Sequence, residues 1–508
     1  METLKDLGGI ISAIISFITL IGLYLKNKDE VNDFFETLKH KVFSIIGILS
    51  IAAAVPAAVA LLAYYGCLLP INIEYSNLLA CILLSISVIA VVAIISIKIS
   101  RKRFRDTLNS TDYHEWLIEV LQKIYPGWKP LTINKTNSRG YPGELIKIEK
   151  DFNFIKTNLD EIEEEFYYHK GNNKFINKRK FLNRYRLFDF SRGFKAFIYR
   201  VCYYILVRDN IRYPDLIGYT LETYETNKGG VIENINCSIS TYYQNVMESH
   251  IMEYELYRLY NVEKDVNNID KDMILKYLPY RMAIHKKICG NIEPLISEKN
   301  THAIFRSGAG RPSLLSVQAL IAYKTRNGKY RTYIGKRNNN VAIYQGRTQI
   351  APAGGFEMYE REKDGYNWEE IKADCKPEIA LYREILEEIF NKKEFDGENS
   401  DKGIVSTNNI IENTPPIKAI NETKNKILGG ISIDLVYLRH TLSYLVKADK
   451  DIFAFNDEAW KIFLSQIEFE KAKKEHEIPG CLENIFNSNN NDIAMTDTAA
   501  LAKCFLEW

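Results

Sequence analysis

Three uncharged, apolar stretches dominate the start of the chain. They cover residues 7–25, 42–69 and 78–97. A helix needs roughly 20 apolar residues to cross a bilayer core about 30 Å thick, so each stretch is long enough to span a membrane. The pattern therefore predicts an N-terminal α-helical transmembrane region over residues 1–105.

The basic residues around these stretches predict their orientation. Lysines follow the first stretch, and a cluster of lysines and arginines at 98–105 follows the third. The short turn at 70–77 contains no basic residue. Because cytoplasmic loops carry an excess of lysine and arginine, this distribution predicts a multi-pass protein whose C-terminal region is cytoplasmic.

The pattern changes twice in the remaining four-fifths of the chain. Residues 106–300 are rich in tyrosine and mainly show helical periodicity, which predicts a mainly α or α+β middle region. After residue 300, the segments SVQALIAYKT and YRTYIGKR flank an Asn-Gly turn, which is typical of a β-hairpin. Further strand patterns and two helical segments, PEIALYREILEEIF and TDTAALAKCFLEW, predict a separate domain over residues 301–508.

Composition narrows the classes of function. The 66 basic and 64 acidic residues nearly cancel, which argues against a general DNA-binding surface. The eight cysteines are scattered, without a CxxC pair or a Cys/His cluster at zinc-ligand spacing. A reducing compartment without disulfides or structural zinc fits this usage.

Three carboxylates share one face of a predicted helix. Glu384, Glu387 and Glu388 are spaced at i, i+3 and i+4, and like charges at this spacing repel. A positive partner is therefore expected, either a divalent cation such as Mg²⁺ or the adjacent Arg383. A solvated acidic helix has the same spacing, so the pattern alone leaves both interpretations open.

The segment around this helix resembles the Nudix box of the Nudix hydrolases. GGFE at 354–357 and REILEE at 383–388 match the two ends of the box, with strands before it and a strand and helix after it. Gly355 and Arg383 are 28 positions apart, which is about twice the family's spacing. Cys375 stands where strict spacing has the central Glu, and Phe390 replaces the final glycine. The resemblance implies an α/β/α Nudix-like domain with a mixed sheet.

Apolar stretches joined to a divergent Nudix-like domain are similar to the transmembrane Nudix effectors of bacterial anti-phage systems called CBASS. That resemblance implies a sensor for a cyclic oligonucleotide made by a nucleotidyltransferase related to cGAS. It also implies a homo-oligomer that contacts the lipid bilayer and disrupts the inner membrane. No catalytic residue is expected under this hypothesis.

Candidate ligand-binding residues follow from the sensor hypothesis, because Arg and Lys bind phosphate and aromatic rings stack on bases. They are Arg306, Arg311, Tyr323, Lys336, Arg337, Arg347, Phe356 and Arg383.

Two other functions stay open. One is a membrane-anchored, Mg²⁺-dependent hydrolase of a nucleoside diphosphate derivative, in which Glu384, Glu387 and Glu388 would hold the metal and serve catalysis. The other is a scaffold with a degenerate Nudix-like domain and no ligand. Analysis of ligand binding and of reaction products separates the three hypotheses.

Overall fold

The computed structural model describes part of the chain. The described residues are 95–132, 140–147, 156–158, 194–207, 217–226, 232–290, 298–324, 330–336, 344, 347–357, 374–390, 411–423, 425–448, 452–453, 465–469 and 496–507. Contacts divide the chain into two units, Met1–Arg103 and Phe104–Trp508. The predicted domain boundaries at residues 105 and 300 stay predictions.

Within the described ranges, no helix combines the length and the apolar character that a membrane crossing requires. The fold class with a transmembrane region, the multi-pass inner-membrane location and the membrane-disrupting role are therefore wrong as predicted. The predicted spans 7–25 and 42–69 lie outside the described residues, as does 78–97 up to residue 94. Residues 95–108 are helical, but this helix contains a run of lysines and arginines that an apolar span would exclude.

The helices are named in chain order. They are α1 (95–108), α2 (Thr111–Ile124), α3 (Phe194–Val207), α4 (Tyr242–Glu248), α5 (Ile251–Val262), α6 (Lys271–Tyr277), α7 (Pro279–Cys289), α8 (Glu298–Phe305), α9 (Pro377–Glu384), α10 (Pro415–Asn421) and α11 (Thr496–Glu507). Helix α9 continues into a π-helical turn, Ile385–Ile389, and Val266–Asn268 forms a 3₁₀ turn.

The strands are also named in chain order. They are β1 (Gly143–Lys147), β2 (Lys156–Asn158), β3 (Ile217–Thr226), β4 (Ile232–Thr241), β5 (Ser316–Lys324), β6 (Tyr330–Lys336), β7 (Thr348–Ala351), β8 (Ala353–Gly355), β9 (Asn425–Asp434), β10 (Arg439–Ala448) and β11 (Ser465–Phe469).

A mixed sheet organises the second unit. Its strand order is β1-β9-β10-β5-β6-β11, with β7 paired to β6 and β8 paired to β5. Strands β5 and β10 are parallel, whereas the other pairs in this sheet are antiparallel. A smaller sheet has the order β2-β4-β3. The structure therefore supports a mixed sheet with helices.

Helices cover both faces of the central strand β5. Because side chains alternate between the two faces of a strand, Val317 and Ile321 pack in one core with Ile385 of the π-helical turn. Leu320 lies in a different core, with Ala500 of α11. The α9 helix and the N-terminal end of α11 therefore lie on opposite sides of β5.

Buried arginines bind the turn between β9 and β10. Arg281 is fully buried in α7 and donates to the carbonyl oxygens of Leu435, at 2.8 Å, and Val436, at 2.7 Å. Arg311 donates through Nη2 to the carbonyl oxygen of Leu438 at 2.7 Å. These bonds fix the sheet to the helices, because the turn carbonyls are removed from water and need donors.

His440 follows this turn, and its replacement should change the pH dependence of stability. Burial, with a further contribution from Arg311, lowers the pKa of His440 to about 3. Its Nε2 lies 2.7 Å from the carbonyl oxygen of Phe305, a contact that suits the neutral ring as donor. The pKa of His440 in the folded protein is therefore below the value of about 6.5 expected in the unfolded chain. Neutral His440 contributes its full stabilisation of the folded protein above about pH 6.5, and this contribution is lost as the pH falls toward the folded pKa.

The free energy of unfolding should depend more steeply on pH in the wild type than in His440→Gln. Lowering the pH from about 7 to about 4.5 should reduce the unfolding free energy of the wild type by about 2–3 kcal/mol more than that of the variant. Urea denaturation at each pH measures this difference. The exposed His302→Gln is the matched control. Parallel curves for the wild type and His440→Gln would refute the assignment.

Candidate functional site

The two halves of the Nudix-like pattern meet where β8 contacts the carboxylate helix. A Cβ atom placed on Gly354 would lie 1.9 Å from both Cδ and Oε1 of Glu384. No side chain fits in that space unless the carboxylate moves. Glycine at position 354 therefore lets the helix approach the strand closely. We call residues 353–357 and 383–388 the glycine–carboxylate junction.

Arg383 holds the strand side of this junction. Its Nη1 donates to the carbonyl oxygen of Glu357 at 2.9 Å, and its Nη2 lies 3.5 Å from the carbonyl oxygen of Gly355. Its Nε is 3.6 Å from Oε1 of Glu387, one turn along the helix. The positive charge of Arg383 therefore offsets the repulsion expected among the carboxylates.

Glu388 completes the junction. Its Oε2 accepts a hydrogen bond from the backbone N–H of Ala353 at 2.9 Å, and its Oε1 accepts one from Nε2 of Gln349 at 3.2 Å. An ionised carboxylate is a strong acceptor. Both of its oxygens therefore bind protein groups, one in β7 and the other at the start of β8.

The electrostatics of the junction favour a neutral Glu384. Burial raises the pKa of Glu384 well above its usual range, and Glu387 and Glu388 raise it further, whereas Arg383 lowers it. Burial lowers the pKa of Arg383, but the neighbouring carboxylates outweigh this effect and raise it overall. The raised pKa of Glu384 and the positive charge of Arg383 both act against a build-up of negative charge at the junction.

The magnesium hypothesis requires several carboxylates that converge on one ion. Within the part of the chain that the structure describes, no group of three or more His, Cys, Asp and Glu side chains is arranged to hold a metal ion. Glu388 is already bonded to Ala353 and Gln349. This arrangement of the three glutamates does not fit a resident Mg²⁺ ion.

Two of the candidate ligand cations are buried and bind the backbone. Arg311 donates to Leu438, as described for the β9–β10 turn. Arg347 donates through Nη2 to the carbonyl oxygen of Leu108 at 2.9 Å, and its guanidinium lies over the ring of Tyr344. The structure therefore gives both arginines a structural role.

The other candidate cations are distributed over separate elements. Arg306 is exposed just after α8, and Lys336 is the last residue of β6. Arg337 lies outside the described residues. Of the predicted cations, only Arg383 belongs to the glycine–carboxylate junction.

The two aromatic candidates lie in the core. Tyr323 is buried in β5, with its ring near that of Tyr333. Phe356 is buried at the junction, where its ring centroid lies 4.5 Å from that of Tyr219. Neither ring is exposed to stack on a base in this arrangement.

A small cavity of about 90 Å³ adjoins the junction. It is bordered by Gly354, Gly355 and Glu357, and by polar side chains that the sequence analysis did not select. Six of these are Ser316, Gln318, Gln349, Arg439, Thr441 and Thr498. The four that lie in β5 and β10 have a signal in the sequence, which is the polar alternation at the starts of these strands, where apolar residues would continue the core. Gln349 in β7 and Thr498 in α11 have no such signal.

No family model matches the sequence of this chain, and no curated protein matches it either. The functional conclusion therefore rests on the glycine–carboxylate junction, the adjoining cavity and the resemblance of the sequence to the Nudix box.

Proposed function

We propose that the chain is a nucleotide sensor that binds a cyclic oligonucleotide at the glycine–carboxylate junction. The main observation in support of this proposal is the contact between the guanidinium of Arg383 and the carbonyl oxygens of Gly355 and Glu357. This contact joins the two ends of the Nudix-like pattern across 28 positions of sequence. A junction of this kind is what the resemblance to a nucleotide-binding fold leads one to expect.

The state of the carboxylates favours binding over hydrolysis. Glu388 is bonded to Ala353 and Gln349, and the raised pKa of Glu384 favours a proton on that carboxyl group. Metal-assisted hydrolysis needs ionised oxygens that are free to bind the cation. Glutamates engaged in this way support a sensor that recognises its ligand without cleaving it.

The ligand class follows from the resemblance and from the chemistry of the junction. Cyclic oligonucleotides carry phosphodiester groups, for which guanidinium groups and backbone N–H groups are suitable partners. Under this proposal, a nucleotidyltransferase related to cGAS supplies the ligand. Binding shifts the protein between states only through its different affinity for them.

Calorimetry on the full chain tests the proposal. Cyclic dinucleotides and trinucleotides are titrated with and without Mg²⁺, and the ligand is recovered for chromatography. We expect saturable binding by at least one ligand without Mg²⁺, and recovery of that ligand intact. Mg²⁺-dependent phosphate release would favour the hydrolase, and absence of heat with every ligand would favour the scaffold.

A pair of variants tests whether the ligand binds at the glycine–carboxylate junction. Arg383→Met should weaken binding at least about tenfold, equivalent to about 1.4 kcal/mol, because the junction loses the group that holds its strand side. Lys376→Met is the matched control, since Lys376 is exposed at the start of the same helix. Equal affinities for the two variants would place the ligand elsewhere.

A further inference from the structure

The sheet face that α11 covers changes from apolar to polar along its strands. Leu320 of β5 and Leu445 of β10 pack against α11 in an apolar core. Two and four residues earlier on the same faces, the side chains are polar: Gln318 and Ser316 in β5, and Ser443 and Thr441 in β10. Burial of polar groups is unfavourable unless they find partners, so this polar half of the face needs an explanation.

Part of the polar half is satisfied internally. Nε2 of Gln318 donates to Oγ of Ser443 at 2.8 Å. Thr441 differs from this pair, because its Oγ1 is buried without a hydrogen-bond partner among the residues that the structure describes. Only 1% of Thr441 is exposed, and the residue lines the cavity. A buried hydroxyl at a cavity wall is a donor that a ligand can use.

The first turn of α11 lies at the same cavity. Thr498 lines it, and Oγ1 of Thr498 accepts a hydrogen bond from the backbone N–H of Ile350 at 3.1 Å. The N–H groups of a first helical turn lack intrahelical acceptors and carry partial positive charge. Arg439 of β10 also lines the cavity and adds a full positive charge.

We infer that this cavity binds a phosphate group, and in particular a phosphate of the nucleotide whose binding is proposed above, on which this part of the inference rests. The volume of about 90 Å³ is well below the roughly 150 Å³ of a cavity that holds benzene. A nucleobase is therefore too large for it, whereas a tetrahedral phosphate fits. The donors around the cavity suit an anion of this kind.

Glu357 is the carboxylate among the residues that line the cavity. Its charge is offset by Arg383, which is close enough for Glu357 to contribute to the raised pKa of that guanidinium. Gly354 and Gly355 also line the cavity. The phosphate site is therefore continuous with the glycine–carboxylate junction, and one ligand can contact both.

A matched pair of threonine variants tests the inference. Thr441→Val removes only the hydroxyl at the cavity. Thr332→Val is the control, because Thr332 is also fully buried and its Oγ1 also has no partner within the described part of the chain, yet Thr332 does not line the cavity. The two replacements are chemically identical, so their effects on folding, checked by thermal melting, should be alike.

The probe is inorganic phosphate, titrated calorimetrically into the full chain and each variant. A hydrogen bond to a charged group corresponds to about a tenfold or larger change in affinity. We expect Thr441→Val to weaken phosphate binding by about that factor and Thr332→Val to leave it unchanged. Equal phosphate affinities for the two variants, or absence of phosphate binding by the wild type, would overturn the inference.

Repeating the titration with the cyclic nucleotide separates this inference from the proposed function. If the nucleotide binds to Thr441→Val as tightly as to Thr332→Val, the assignment of the cavity to its phosphate is wrong, whereas the sensor proposal stands. If no cyclic nucleotide binds but inorganic phosphate still depends on Thr441, the sensor proposal is wrong and the phosphate site stands.

Discussion

Replacing Arg281 with methionine should lower the free energy of unfolding by about 3–5 kcal/mol. The guanidinium is fully buried and donates to the carbonyl oxygens of Leu435 and Val436 and to the hydroxyl of Tyr125. Methionine fills much of the volume but donates no hydrogen bond, so buried carbonyl groups are left unpaired. Domains are stable by only about 5–15 kcal/mol, so the loss is a large fraction of the total.

Lys286→Met on the same helix is the matched control, because Lys286 is exposed. Urea denaturation followed by fluorescence should give a clearly lower midpoint for Arg281→Met and a midpoint near that of the wild type for Lys286→Met. Similar midpoints for both variants would mean that the β9–β10 turn does not depend on this arginine. If Arg281→Met does not fold at all, a comparison of soluble yield with Lys286→Met gives the same distinction.

Gly354→Ala should disrupt the glycine–carboxylate junction. The added methyl group would lie 1.9 Å from the carboxylate of Glu384, so either the strand or the carboxylate must move. We expect a loss of about 1–3 kcal/mol in the free energy of unfolding, as for overpacked cores. Because the methyl group displaces the Glu384 carboxylate from its place in the junction, affinity for the cyclic nucleotide should fall at least about tenfold.

The double variant Gly354→Ala/Glu384→Ala tests the cause of this loss. Removing the Glu384 carboxylate makes room for the methyl group, so the double variant should be more stable than the sum of the two single changes allows. A double-mutant cycle from denaturation curves measures the coupling, which for residues in contact is about 0.5–3 kcal/mol. Strict additivity would show that Gly354 is needed for a reason other than this close approach.

The sequence alone identified the two segments of the junction but not how they are joined. GGFE and REILEE were recognised by their residue types, although 28 positions separate Gly355 from Arg383. The sequence also offered Arg383 as a positive partner for the carboxylates, and the structure places it near Glu387. The contacts of Arg383 with backbone carbonyl groups could not be predicted. Every residue has such a group, so the sequence does not show which of them accepts a hydrogen bond.

Other candidate residues were assigned from charge or ring type alone. Arg311 and Arg347 have the chemistry of phosphate ligands, but both are buried and donate to backbone carbonyl groups. Sequence pattern does not distinguish an arginine that binds a ligand from one that satisfies a turn. The predicted membrane spans lie outside the described residues up to residue 94, and no helix among the described residues is long and apolar enough to cross a membrane.

The cavity depends on pairings that the local pattern does not contain. Ser316 and Thr441 are 125 positions apart, yet they are partners in the parallel pair of β5 and β10. Thr498 of α11 lines the same cavity. Local periodicity predicts strands and helices, but the order of strands in a sheet depends on long-range packing.

Hydrogen–deuterium exchange tests most directly whether the glycine–carboxylate junction is the nucleotide site. The full chain is measured alone and saturated with the cyclic nucleotide that gives a calorimetric signal, with Arg383→Met as the reference. The sensor proposal predicts slower exchange at residues 353–357 and 383–390 in the wild type, and a much smaller change in the variant at the same ligand concentration. Saturated binding without slower exchange in these segments would contradict it.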